Sequence, residues 1–481
     1  MTDHPGSLAT AEASGAGATP RIDMIGNSER ALRDQDLQDA LGRAMPSFRR
    51  QRAAAVTELP EWEALRTTAA AIKDHTLANL EAYLGLLEAR VREAGGVVHW
   101  AADAAEARRI ITDLARARGL RRTVKSKSMT TEEIHLNPAL EAAGVKVVET
   151  DLGEYVVQLA GDTPSHIIAP IIHKSAASVA ELFTRKLGVP LYERPEDITR
   201  AARQALRAEF LAADLGVTGV NFAIAETGTI VVVENEGNAR LTTTRPRVHI
   251  AIMGIEKVIP RLADLGVFLR LLARSSTGQR ASVYVSLLTG PRRAGEVDGA
   301  EEFHLVILDN GRSRLLADPR MREALRCIRC GACLNVCPVY ERAGGHAYES
   351  VYSGPIGAVI TPALEGLERG HELPFASTLC GACAEVCPVR IDLPRMLLEL
   401  RGRAVRAGLV GRVDRLFARA WTFVMWDPTR LRIVAAVARA LQRLIVRDGR
   451  IPWLPYPLSG WTAHRAAPPL SGRPFRDRRG R

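Results

Sequence analysis

The placement of the cysteines restricts this chain more than any other feature: all seven lie between Cys327 and Cys387 in a sequence of 481 residues. The first run, Cys327-Ile-Arg-Cys330-Gly-Ala-Cys333-Leu-Asn-Val-Cys337-Pro338, has the C-x2-C-x2-C-x3-C-P spacing that holds iron-sulfur clusters in bacterial ferredoxins. Three thiolates two residues apart can curl around one face of a cubane, and the small Gly331 and Ala332 let the backbone come close. The fourth thiol leads away into a helix, and Pro338 supports that change of direction. In paired runs of this kind the fourth thiolate serves the other cluster. The second run, Ser377-Thr-Leu-Cys380-Gly-Ala-Cys383-Ala-Glu-Val-Cys387-Pro388, repeats the first at every ligand position except the leading one, where Ser377 stands.

Exchange of the fourth thiolates predicts Cys327, Cys330, Cys333 and Cys387 on a first [4Fe-4S] cluster and Cys337, Cys380 and Cys383 on a second. The second set is one ligand short. It admits a [4Fe-4S] cluster completed by Ser377, water or a partner group, a [3Fe-4S] cluster, or a site closed only in a complex. Ser377 reads more simply as a small spacer than as a ligand, because thiolate is the usual protein ligand of these clusters. An odd number of clustered thiols is not a disulfide framework. Structural zinc needs four ligands and has no use for the doubled x3-C-P extension.

At 47% hydrophobic and 25% charged the chain is globular, with length enough for two or three domains at about 150 residues each. Residues 1 to 45 are polar and Gly-rich, which predicts a mobile arm. Leu77, Leu80, Leu84, Leu87 and Val91 form one apolar stripe, so a helix should run through them to Gly95-Gly96. Short β-branched runs separated by helical segments follow: 97–100, 123–126, 145–150, 166–169, 221–225, 229–233, 249–253, 282–287 and 303–308. That alternation predicts an α/β domain over 46–315, with parallel pairing in a mixed sheet and a hairpin around Glu226-Thr227-Gly228. A mostly helical, ferredoxin-type two-cluster domain should occupy 316–405. Residues 406–481 hold amphipathic stretches and then Pro452, Pro455, Pro457, Pro468 and Pro469, which predict an extended strap.

The formal net charge of +11 comes from the tail: residues 411–481 contain 15 Arg and four Asp, with neither Lys nor Glu. No nucleic-acid-binding motif accompanies it, so an anionic protein surface or membrane headgroups suit it better than nucleic acid. Its Trp421, Trp426, Trp453 and Trp461 fit a docking segment. The first 20 residues lack the basic and apolar regions of a secretory signal, and no apolar run reaches the roughly 18 to 20 residues of a membrane span. A cytoplasmic protein is expected, with peripheral contact at the inner face of the membrane as a weaker alternative.

Two clusters side by side conduct electrons, whereas oxidation of an organic substrate by two electrons calls for a further acceptor or a substrate-binding metal site. The sequence holds no G-x-G-x-x-G after a strand, no P-loop, no G-x-S-x-G and no H-E-x-x-H. Glu226 is better read as stabilising its turn than as a base, and Arg240, Arg245 and Arg247 as surface or interface residues. His173 and His249 adjoin apolar runs and read as packed imidazoles. No catalytic residue is assigned.

Ala225-Glu226-Thr227-Gly228-Thr229-Ile230, the two cysteine runs and the segment Trp453-Leu-Pro-Tyr-Pro-Leu-Ser-Gly-Trp461 together resemble the lactate utilisation protein B family, over roughly residues 45 to 465. The resemblance implies an iron-sulfur electron carrier that acts with sister subunits in oxidising L-lactate to pyruvate without a flavin of its own. It also implies an α/β domain akin to sugar-phosphate isomerases and CoA-transferases, and a second cysteine run with only three thiols. Two alternatives stay open: an α/β domain that itself binds and oxidises a 2-hydroxy acid, and a redox-sensing scaffold.

Overall fold

Helical connections between short apolar runs let the strands of one sheet run parallel, because each connection returns the chain to the same end of the sheet. The computed structural model, which describes residues 20–463 and 465–472, has ten strands. They are β1 (Val97–Ala101), β2 (Arg122–Lys125), β3 (Lys146–Glu149), β4 (Leu215–Gly219) and β5 (Phe222–Ile224). After these come β6 (Thr229–Glu234), β7 (Val248–Gly254), β8 (Val258–Ile259), β9 (Tyr284–Leu288) and β10 (Glu302–Leu308). Six of them form one sheet in the order β1-β10-β7-β4-β2-β3, parallel throughout. The central β7 is buried along its whole length, as expected for a strand covered on both faces, whereas the edge strand β1 is buried only in part.

The expected single mixed sheet is corrected to two. β5 and β6 pair antiparallel across Glu226-Thr227-Gly228, as the hairpin reading predicts, but they belong to a separate sheet of order β8-β5-β6-β9. β4 carries a weak strand signal because Gly216 and Gly219 dilute it, and Gly216 is needed there because a Cβ would collide with the Thr242 carbonyl.

Three other expectations are corrected. Residues 20–45 do not form a mobile arm. Asp23 and Asp34 cap helices Met24–Arg33 and Gln35–Thr57, and Ile22, Met24, Leu41 and Met45 are buried in the same core as the cysteine loops. Residues 1–19 of that arm lie outside the described residues. The apolar stripe from Leu77 to Val91 is split at Asn79 into helices Trp62–Ala78 and Leu80–Glu93. Residues 166–169 form no strand: the His166 ring accepts the N–H groups of Ile168 and Ala169 through Nδ1, folding the segment into a turn.

Of the described residues, those up to Arg401 form one compact unit containing both sheets and both cysteine runs, and those from Gly402 onward form a second. Within the second unit the amphipathic stretches are helices Arg412–Met425 and Pro428–Leu441, so the strap is extended only beyond them, around Pro452 to Pro457. No described helix is long and apolar enough to cross a membrane.

Candidate iron-sulfur centre

The two cysteine runs fold alike. Arg329 and Leu379 both adopt positive φ, as do Gly331 and Gly381 after them, and short helices Ala332–Asn335 and Ala382–Glu385 follow. The Arg329 N–H donates to Cys327 Sγ at 3.4 Å, and the Leu379 N–H donates to Ser377 Oγ at 3.1 Å. Ser377 therefore occupies the place of the leading thiol, with its hydroxyl in the same turn bond.

The folding of these loops onto each other sorts the thiols. Cys327, Cys330, Cys333 and Cys387 line one small cavity. Cys333 feels the charges of Cys327, Cys330 and Cys387, whereas Cys383 feels those of Cys337 and Cys380. The fourth cysteine of each run thus lies with the other run's thiols. All seven are free. Burial pushes the Cys383 thiol up to about 12 and the Cys387 thiol to about 11, so gathered thiolates here need a cationic centre to stabilise them. Cys380 is the exception: it is exposed, and the Ala382 N–H beside it lowers its pKa. Free thiols, left-handed turns and N–H groups aimed at sulfur form a donor set that fits iron-sulfur clusters.

Different parts of the chain hold the two loops. Asn335, in the first, bonds to His166 Nε2 at 3.0 Å and donates to the Ser276 carbonyl. The nearby Tyr340 hydroxyl donates to the Ser165 carbonyl at 2.6 Å. Gly331 lies so close to Ile168 that a Cβ would come within 2.6 Å of its Cδ1. In the second loop the buried Arg66 donates to the carbonyls of Cys387 at 2.9 Å and Glu385 at 2.7 Å, and Arg52 donates to that of Val386. Behind the first loop, Arg312 bonds Glu256 at 2.7 Å and Glu133 at 2.7 Å, all three buried.

Two family models match the chain: the LUD domain over residues 84–308 and the 4Fe-4S dicluster domain over 323–391. Lactate utilization protein B of Shouchella clausii is 45% identical over 450 residues, covering 93% of this chain and 94% of that protein. The chain belongs to the lactate utilization protein B family. Its member from Geobacillus kaustophilus is 46% identical over 429 residues, 89% of this chain and 90% of the relative. A protein of Escherichia coli K12 named as the electron transport protein YkgF is 43% identical over 458 residues, 95% and 96% of the two chains. In this family member the LUD domain contains the six-stranded parallel sheet, and the dicluster domain carries all seven cysteines.

The α/β residues that invite a catalytic reading have structural work. Glu226 Oε2 accepts the Leu262 N–H at 2.9 Å, at the start of helix Leu262–Ser276. Arg240 stacks on Tyr284, and Arg247 donates to the Arg118 carbonyl. His249 is buried against Phe303 and bonded to Thr218, and burial lowers its pKa to about 3. His173 bonds Asp162 at 3.0 Å. What sequence reasoning missed is a polar cavity at the strand ends, reached by Lys127, Asp151, Asn221 and Lys257 from the sheets and by Arg329 and Cys330 from the first cysteine loop. Its signal was present as polar residues directly after β2, β3 and β4.

Proposed function

We propose that this chain is the electron-transfer subunit of an L-lactate-oxidising complex, passing electrons through two iron-sulfur clusters as lactate becomes pyruvate. Cys327, Cys330, Cys333 and Cys387 hold a [4Fe-4S] cluster. Cys337, Cys380 and Cys383 hold a second, [4Fe-4S] or [3Fe-4S], with Ser377 at the vacant ligand position. The observation that carries the reading is the sorting of the thiols into sets of four and three, each including the other run's last cysteine. The names of the relatives, a lactate utilization protein and an electron transport protein, support the substrate and the role.

The clusters supply one-electron steps; the chain's own residues enclose the first set and leave Cys380 of the second exposed. That asymmetry suits a carrier that receives electrons internally and delivers them to a docked protein. Sister subunits complete the complex in the cytoplasm, and the α/β domain retains the kinship to sugar-phosphate isomerases and CoA-transferases.

The test is low-temperature EPR with iron and acid-labile sulfide counts on the anaerobic chain, followed by addition of the sister subunits and lactate. Two clusters, reduced by lactate only when the sisters are present, is the expected result. A colourless, zinc-containing chain refutes the cluster assignment. Clusters that lactate never reduces in the full complex refute the lactate role.

A further inference from the structure

In open parallel sheets, ligands bind outside the carboxyl ends of the strands, where successive connections leave in opposite directions. Here the chain passes from β2 outward to the edge strand β3, and then returns past β2 to β4 and on to β7. The switch point is therefore between β2 and β4. The end of β4 and the loop after β2 meet there so closely that a Cβ on Gly219 would stand 2.5 Å from Ser128 Oγ. A cavity of about 290 Å³ opens at this point, and its far wall is the loop bearing Cys330. That volume is at the small end of small-molecule sites, which start at about 300 Å³.

The charges in its lining are incompletely used. Lys257 is buried, and the negative charges that favour its ammonium come from Glu256 and Cys327, without a direct salt bridge to either among the described residues. Arg329 has a side chain only 9% exposed; Nη2 reaches Glu256 at 3.4 Å, while Nη1 is buried without a partner among the described residues. Lys127 Nζ is also buried without a hydrogen bond, with Glu154 at 3.4 Å as its ion-pair neighbour. Buried cations of this kind are stabilised by an anion. The same cavity is lined by Asp151 and Glu236, whose carboxylates take backbone N–H groups of Gly153 and Leu152. A multiply charged phosphate would be repelled by these carboxylates. A ligand with one anionic end and one hydrogen-bonding oxygen beside it suits both ends.

We propose that this cavity binds a small carboxylate bearing a hydroxyl or oxo group next to the carboxylate, with Lys257 and Arg329 holding the carboxylate beside Cys330 of the first thiol set. That the ligand is the substrate or product of lactate oxidation rests on the function proposed above; the site itself rests on the cavity and its incompletely paired cations.

The test uses the full chain with its clusters, prepared anaerobically, and four probes: L-lactate, pyruvate, acetate and inorganic phosphate. Binding is read by calorimetry and by the EPR spectrum of the reduced protein. Lactate or pyruvate should bind saturably and more tightly than acetate or phosphate, and perturb the signal of the first cluster only. Lys257→Met should weaken binding by at least about tenfold, as loss of a charge-assisted bond does, with unchanged iron content. Lys127→Gln serves as a second variant should Lys257→Met fail to fold, and should also weaken binding. Tightest binding by phosphate, no saturable binding by any probe, or affinities unmoved in a folded variant each overturn the proposal. Binding here without lactate-driven reduction in the complex refutes only the function proposed above. Lactate-driven reduction without binding here refutes only this site.

Discussion

Cys330 and Cys380 occupy the same place in two loops of matching backbone conformation, yet Cys330 is buried and Cys380 is exposed. The repeated sequence sets the local turn: positive φ at Arg329 and Leu379, then at Gly331 and Gly381. Burial comes from elsewhere in the chain. The turn at 165–168 covers the first loop through Asn335, Tyr340 and Gly331, whereas Arg66 and Arg52 grip the second along its backbone carbonyls and leave Cys380 open. Local sequence can specify a cluster loop, and distant sequence then decides whether its cluster faces a cavity or the surface.

The largest test of this comparison crosses the loops. Cys387→Ser lies in the second run but should abolish the EPR signal of the first, enclosed cluster and spare the other. Cys337→Ser, in the first run, should do the reverse. Iron content should fall in each variant by the share of one cluster. If each substitution removes the cluster of its own run, the two loops do not exchange ligands, and the comparison between an enclosed and an open site has to be redrawn.

Arg66→Met asks how far the second loop depends on its clamp. Arg66 is buried, and its guanidinium serves the carbonyls of Cys387 and Glu385. Loss of charged donors to buried carbonyls should cost roughly 2–3 kcal/mol in denaturant unfolding of the cluster-loaded chain. The first-cluster signal, which depends on Cys387, should broaden, and an unchanged midpoint would mean that the clamp adds nothing to the loop's stability.

Ser377→Cys sharpens the comparison by removing one difference between the loops. The side chain already takes the turn bond that Cys327 takes, so the thiol fits without rebuilding the loop. Stability should change by no more than about 0.5 kcal/mol, typical of substitutions that disturb no packing. The second cluster should become a four-thiolate cubane by EPR and iron count. A spectrum identical to the parent's would show that position 377 lies outside its ligand shell.

The cysteine loops, the hairpin and most strands were legible because each depends on neighbours close in sequence: ligand spacing, a Gly-containing turn, short β-branched runs. What escaped depends on distant partners. Residues 166–169 carry a strand-like composition, but His166 turns them back on themselves and spends its other nitrogen on Asn335, far along the chain. The polar N-terminal region folds because Ile22, Met24, Leu41 and Met45 have an apolar surface to cover that no local pattern announces. Asn79 ends one helix and begins another inside an unbroken apolar stripe. The cavity was hidden for the same reason, since β2, β3, β4 and the first cysteine loop meet only in three dimensions.

The smallest expected effect separates the two clusters by pH. Glu154 is buried beside Lys127, with Glu149 and Glu132 adding negative charge around it and Lys125 positive. Burial, the leading cause, raises its pKa to about 7, above the roughly 4.3 of an unfolded chain. The stability it contributes is therefore complete below the unfolded value and is lost as pH rises through about 7. Over the same interval its new negative charge engages Lys127 and withdraws that cation from the cavity. A bound 2-hydroxy or 2-oxo carboxylate should thus perturb the first cluster's EPR signal at lower concentration at about pH 6 than at about pH 8, with the second cluster indifferent to both. Glu154→Gln cannot ionise and should lessen the dependence, the remainder falling to Glu236 and Lys257, which line the cavity with pKa values that burial moves to about 7 and about 8. A difference undiminished in this variant would trace the whole pH response to those two groups and detach Lys127 from control by Glu154.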